Sequence, residues 1–150
     1  MNTDFDFQNG TWAVAHRQLV KALAGCTEWK DFTSTSVVHG FFGGAGSFEE
    51  HTFHDHGTGG VAMRLYDPAA EHWTIYWVSS RDGRLQTPVT GRFTDGVGLF
   101  EGDEEFEGRP IKTRFFWSEI TATSARWHQD FSDDGGRTWE TNWIMEFTRV

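Results

Sequence analysis

Three histidines lie within six residues in the segment HTFHDH, at His51, His54 and His56. Imidazole is a frequent metal ligand, so this spacing is a weak signal for a divalent metal site. On a β-strand His54 and His56 share one face and His51 points to the other, so the three converge only if the chain turns. The glycine-rich GTGG that follows favours a solvated hairpin end over a metal site.

A further histidine, His16, lies in TWAVAHRQL, where alternating residue types predict a β-strand. Gln18 and Trp12 share its face of the strand, and this face is expected to point inward. An interior histidine beside such neighbours could orient a ligand, act as a general base or hold a haem iron. The alternative, slightly favoured, is a core histidine that is hydrogen-bonded to a neighbour.

Other residue types that carry catalysis lack a suitable setting. The acidic run EGDEEFEG, residues 101–108, supplies carboxylates of the kind that cleave glycosidic bonds, but it is predicted to form an exposed charged turn. Ser79 and Ser80 are not part of a Gly-x-Ser-x-Gly elbow, and Cys26 has no recognisable catalytic neighbours. The sequence therefore assigns no catalytic residue.

The segment SDDGGRTWE, residues 132–140, matches the Asp box that recurs in sialidase-type β-propellers. A propeller needs at least about four blades of four strands, which a chain of 150 residues without internal repeats does not hold. We interpret the segment as a hairpin in which Ser132 and Asp134 accept hydrogen bonds from turn amides. Its two glycines take positive φ, and Trp139 is expected to pack inward.

Composition and charge restrict the class of protein. The net charge of −9, with no run of lysine or arginine, argues against nucleic acid and anionic membranes as partners. No apolar stretch approaches the roughly 18 residues of a spanning helix, and the first residues contain no apolar signal-peptide core. With its single cysteine, the chain is expected to be cytoplasmic. Its strand edges are compatible with a homodimer.

Turn signals separate about ten alternating segments and divide the chain at no domain boundary. They predict one all-β domain over residues 1–150, an antiparallel up-and-down barrel of about ten strands. A short helical segment is expected after the first strand, in VKALAGCTEW. Dense aromatics, with eight Trp and fourteen Phe, favour a ring-lined interior.

Alternation also selects the residues expected to line that interior. The predicted ligand-binding residues are His16, Gln18, Trp77, Phe115, Trp127, Gln129, Thr141 and Trp143. The main hypothesis is that they bind a small apolar or aromatic molecule. The alternatives are an isomerase or cyclase with His16 as base, haem or metal binding through a histidine, and a barrel without a cavity that serves as an interaction module. No cofactor is assigned.

Several segments resemble known barrels. NGTW resembles the Gly-x-Trp signature of the lipocalin, or calycin, barrels, in which the first-strand Trp closes one end and a late Arg packs across it; Trp12 and Arg149 match these two residues. FDFQNGTWAVAHRQL, RLYDPAAEHWTIYWVSS, PVTGRF and FSDDGGRTWETNWIMEFTR, in this order, resemble a bacterial family of calycin-like barrels with no agreed function. The resemblance implies a calycin-like fold. A more distant likeness is to fatty-acid-binding and nitrobindin-type barrels, and nitrobindins hold haem through one histidine.

Overall fold

A computed structural model of the chain describes residues 2–55 and 57–150. In this described part, ten antiparallel strands form a closed barrel, and β10 pairs with β1. The strands are β1 (Gly10–Leu19), β2 (Trp29–Phe41), β3 (Gly46–Phe53), β4 (Gly59–Asp67), β5 (His72–Ser79), β6 (Val89–Thr94), β7 (Val97–Phe106), β8 (Arg109–Ser118), β9 (Ser124–Ser132) and β10 (Glu140–Arg149). The predicted all-β up-and-down barrel is confirmed.

Alternation places one face of each strand inside the barrel. In β1 the side chains of Trp12, Val14 and His16 are buried, and the residues between them are exposed. Two of the connections are tight hairpins with positive φ at both central residues, Asp95–Gly96 and Glu107–Gly108. This is the pattern of type I′ turns, whose twist matches that of the flanking strands.

The acidic run forms a strand over most of its length, so the expectation of an exposed turn is wrong for residues 101–106. These residues belong to β7, and only Glu107 and Gly108 form the turn. Asp103 lies opposite Lys112 on β8 and forms an ion pair with it at 2.9 Å. An opposite charge directly across the strand pair stabilises an acidic residue within β7.

The predicted helical segment after β1 is also wrong. Residues 20–28 form a bend and a turn, and Leu23 takes a left-handed backbone conformation with φ of 55°. A right-handed helix does not continue through this conformation. The Leu23 amide instead donates to the Glu140 carboxylate at 2.7 Å, which fastens the connection to the start of β10. Two 3-10 helices, Asp6–Gln8 and Phe42–Gly44, are found elsewhere, and no helix among the described residues is long and apolar enough to cross a membrane.

The Asp-box segment joins β9 to β10 as a hydrogen-bonded hairpin, as predicted. The Ser132 hydroxyl accepts from the Gly136 amide at 2.9 Å and donates to Asp134 at 2.8 Å. The Asp134 carboxylate also accepts from the amides of Arg137 and Thr138, at 3.0 and 2.9 Å. Hydrogen bonds from the Thr138 side chain and amide hold the pKa of Asp134 well below its usual range. The motif therefore shapes a turn.

Trp139, at the end of this hairpin, does not pack inside the barrel, so that expectation is wrong. The Arg114 guanidinium carbon lies 4.0 Å from the centre of its ring, and Arg114 forms an ion pair with Asp130 at 2.8 Å. Arg114 is on the outer face of β8, because its neighbour Phe115 lines the interior. A cation over the indole face holds Trp139 on the outer surface.

The N-terminal segment closes one end of the barrel with aromatic rings. Phe5 is 2% exposed and meets Trp73 edge-on, with ring centres 4.8 Å apart. It also lies 5.1 Å from Phe93, and the Arg64 guanidinium carbon lies 4.7 Å from its ring. The Trp73 indole donates to the Asp4 carboxylate at 2.9 Å, which fastens the segment to β5.

Trp12 and Arg149 complete this closed end. The Arg149 guanidinium carbon lies 4.2 Å from the centre of the Trp12 ring. The guanidinium also donates to the backbone oxygens of Asn9 and Phe7, at 2.6 and 2.7 Å, and the Trp12 indole donates to the Gln8 oxygen at 2.7 Å. The contact expected between the first-strand tryptophan and a late arginine is confirmed.

The Phe5→Ala substitution is expected to lower the free energy of unfolding by about 3–5 kcal/mol, because it removes a ring packed among other rings. Phe42→Ala is a matched change at a side chain that is 75% exposed, and it should alter stability by at most about 0.5 kcal/mol. Urea denaturation followed by tryptophan fluorescence measures both. Equal effects of the two substitutions would show that Phe5 does not close the core.

Candidate functional site

A cavity of about 60 Å³ lies inside the barrel, which we call the inner cavity. A single water needs about 10–15 Å³ by a comparable measure, so the space admits a larger group. Most of its wall is apolar: Ala62, Ile75, Trp77, Phe115, Trp117, Trp127, Trp143, Met145 and Phe147. The polar side chains that line it are Glu49, His51, Arg64 and Gln129.

Two wider recesses, of about 210 and 330 Å³, lie at the end of the barrel opposite the N-terminal segment. Gln18, Lys30, Arg81 and Trp143 line both recesses, which together we call the mouth. Trp143 also lines the inner cavity, and Trp77 lines the inner cavity and the smaller recess. These two indoles therefore separate the inner cavity from the mouth.

The structure brings most of the predicted ligand-binding residues together. Trp77, Phe115, Trp127, Gln129 and Trp143 all line the inner cavity. Gln18 lies in the mouth. His16 is 1% exposed and lies beside the cavity, where it contacts Trp143.

Thr141 lies outside this group, and the expectation that it shares a face with Trp143 is wrong. Thr141 pairs with Asp130 and Trp143 pairs with Gln129, so Asn142 is an extra residue between two successive pairs. This β-bulge reverses the alternation along β10. The Thr141 hydroxyl donates to the Asp130 carboxylate at 2.7 Å on the outer face.

The histidines of HTFHDH do not form one cluster. His51 points into the barrel and is 2% exposed. His54 is on the outside, where Nδ1 lies 2.8 Å from the Thr33 hydroxyl and Nε2 lies 2.8 Å from the Thr35 hydroxyl. His56 lies outside the described residues. Among residues 2–55 and 57–150, no group of three or more His, Cys, Asp or Glu could hold a metal ion.

A chain of hydrogen bonds, which we call the polar relay, runs through Trp143, His16, Ser34, His51 and Glu49. Trp143 Nε1 donates to His16 Nδ1 at 3.1 Å, and His16 Nε2 lies 2.8 Å from Ser34 Oγ. Ser34 Oγ lies 3.1 Å from His51 Nδ1, and His51 Nε2 lies 2.8 Å from a Glu49 carboxylate oxygen. An indole N–H only donates and a carboxylate only accepts, so with neutral imidazoles every proton in the relay points toward Glu49.

Glu49 is also paired with a buried guanidinium. Arg64 donates to the Glu49 carboxylate through Nη2 and to Ser47 Oγ through Nη1 at 3.0 Å, and Ser36 Oγ donates to Glu49 at 2.7 Å. Burial raises the pKa of Glu49, but interactions with His51 and Arg64, with hydrogen bonds from His51 and Ser36, bring it well below its usual range. Burial lowers the pKa of Arg64 while Glu49 raises it, and the guanidinium stays charged.

Glu49 and Arg64 are site residues that sequence reasoning missed. The alternation of strand faces places Glu49 on the same face as Ser47 and His51, and Arg64 on the same face as Ala62. This placement alone does not predict burial, because charged residues are almost never fully buried unless they are paired. Only the pairing of β3 with β4 brings the two charges together.

Comparison with protein-family models and with curated proteins gives no match for this chain. The site is therefore interpreted from its own geometry.

The Glu49→Gln substitution is expected to lower the free energy of unfolding at neutral pH by about 3–5 kcal/mol, because it leaves the Arg64 charge buried without its counter-ion. The control is Glu50→Gln, the same change at the adjacent exposed residue, which should have an effect within about 0.5 kcal/mol. Urea denaturation of the three proteins measures the difference. Similar losses for the two variants would contradict the assigned ion pair.

The difference in unfolding free energy between wild type and Glu49→Gln is predicted to depend on pH. Because the pKa of Glu49 is lower in the folded state, its ionisation stabilises the fold above the unfolded-state value of 4.5, and this contribution is lost as the pH falls below that value. The stability gap between wild type and Glu49→Gln should therefore narrow in acid. Urea denaturation at a series of pH values measures the gap, and a gap independent of pH would contradict the lowered pKa.

Proposed function

We propose that the protein binds a small apolar or aromatic molecule in the inner cavity. The observation that carries this proposal is an interior space walled mainly by tryptophan and phenylalanine rings, with three charged or polar side chains on β3 and β4 and Gln129 on β9. Binding sites for small molecules commonly combine such apolar walls with a few fixed polar groups. Burial of apolar surface supplies the affinity, and the polar groups orient the ligand.

The polar wall is fixed in place before any ligand binds. Glu49, His51 and Arg64 are each 2% exposed and are held by one another and by neighbouring serines. On the opposite side, the Trp143 indole is held by His16 and meets Trp127 edge-on at 5.5 Å. A preformed site loses little side-chain freedom on binding, which favours affinity for a small ligand.

Catalysis is the second candidate, and the observation that favours it is His51 at the cavity wall between Ser34 and Glu49. In this arrangement His51, rather than His16, is the better placed general base. His16 does not line the inner cavity, whereas His51 does. The ring nitrogens of both histidines are engaged, those of His16 by Trp143 and Ser34 and those of His51 by Ser34 and Glu49. A haem iron bound to either histidine would have to displace one of these partners.

The Ala62→Leu substitution is expected to weaken the binding of benzyl alcohol at least about tenfold, roughly 1.4 kcal/mol, because Ala62 lines the inner cavity and the added atoms fill it. Ala13→Leu, a matched change on the exposed face of β1, should leave the affinity unchanged. Isothermal titration calorimetry measures both, and circular dichroism confirms that the variants fold. Equal affinity of wild type and Ala62→Leu would place the probe elsewhere, and no measurable binding to the wild type would remove the proposal.

A further inference from the structure

The mouth of the barrel carries positive charge although the chain has a net charge of −9. Lys21, Lys30 and Arg81 line it, and Glu107 is the acidic side chain in the same lining. In the part of the chain that the structure describes, the side chains of Lys30 and Arg81 form no ion pair. In a protein with an excess of carboxylates, two cations at the entrance of a cavity without acidic partners favour an anionic ligand.

Asn142 is a buried polar residue in the wall of the mouth. It lines the larger recess of the mouth and is 3% exposed. Its Oδ1 accepts from Gln129 Nε2 at 2.9 Å, which fixes the orientation of the amide. Its Nδ2 has no hydrogen-bond partner among residues 2–55 and 57–150. Nδ2 is itself buried and faces no open space, so the amide shapes the wall of the mouth and offers no donor to a ligand.

We infer that the ligand is a small carboxylic acid whose carboxylate binds in the mouth and whose apolar part enters the inner cavity. This inference rests on the proposed function and names the class of its ligand. Lys30 and Arg81, which line both recesses of the mouth, supply donors and positive charge for the carboxylate. Trp77 and Trp143, which line both spaces, flank the apolar part where it passes from mouth to cavity.

The size of the inner cavity limits the acid. About 60 Å³ is smaller than the roughly 150 Å³ of an engineered cavity that holds benzene, so a ring would extend from the inner cavity between Trp77 and Trp143 into the mouth, and a long acyl chain is too large. The aromatic wall favours a ring, which packs edge-on or offset against tryptophan. Phenylacetate meets these requirements, and phenylacetamide has nearly the same shape without the charge.

The test compares the two compounds by isothermal titration calorimetry at neutral pH and low salt. Phenylacetate is expected to bind about tenfold more tightly than phenylacetamide, because its carboxylate accepts charge-assisted hydrogen bonds. The preference should shrink at roughly 1 M salt, which screens exposed charges. Equal affinities for the two compounds would overturn the carboxylate inference and leave the proposed apolar site standing. Failure of both compounds and of benzyl alcohol to bind would overturn the proposed function as well.

Substitutions in the mouth test which side chains supply the positive charge that binds the carboxylate. Lys30→Gln and Arg81→Gln should each weaken phenylacetate binding about threefold and leave phenylacetamide unaffected, the size expected for partly exposed ion pairs. Arg92→Gln, the same change in charge on the exposed face of β6, should alter neither affinity. The double variant Lys30→Glu with Arg81→Glu carries negative charge at the mouth, so it should bind the cation phenethylamine more tightly than phenylacetate. Retention of the full carboxylate preference in both glutamine variants would falsify the assignment to the mouth.

Discussion

Two opposite charges buried inside the barrel, on Glu49 and Arg64, constrain the arrangement of the surrounding side chains. An unpaired charge in such an interior costs several kcal/mol, so each group depends on the other and on the hydrogen bonds from Ser36 to Glu49 and from Arg64 to Ser47. The polar relay connects Glu49 to Trp143 and fixes the orientation of the Trp143 indole through its N–H. A charged pair near the closed end of the barrel thereby fixes an aromatic ring at its mouth.

The two ends of the barrel are built differently. At the closed end, Phe5 fills the interior and Arg149 binds the backbone of the N-terminal segment. At the mouth, amide and cationic side chains lie beside the rings of Phe32, Phe53, Phe106 and Phe131. The inner cavity lies between the two ends. Rings make up most of its wall, and Lys30 and Arg81 line the mouth next to it. This arrangement along the barrel axis underlies the inferred preference for an amphipathic acid over a purely apolar ligand.

Alternation along the strands was sufficient to predict the barrel and most of the rings in its cavity, because the side-chain period of a strand does not depend on its partners. Where the structure departs from the prediction, a bulge or a contact with another strand determines the face on which the side chain lies. The extra residue Asn142 is invisible in the sequence pattern, yet it turns Thr141 outward. Trp139 lies outside because Arg114 on another strand covers it. Alternation alone does not predict the buried pair of Glu49 with Arg64, since charges are buried only when a partner is in place, here from another strand.

The central claim is that a small ligand lies between the inner cavity and the mouth, against Trp77 and Trp143. The most direct measurement follows the eight tryptophan indole N–H signals by ¹⁵N NMR during titration with phenylacetate, with assignments from single Trp→Phe variants. The largest shifts are expected at Trp77 and Trp143, with little change at Trp73, whose indole binds Asp4 at the closed end, or at Trp139 on the outer surface. Shifts that are largest at Trp73 or Trp139, or no shifts at saturating phenylacetate, would contradict the claim.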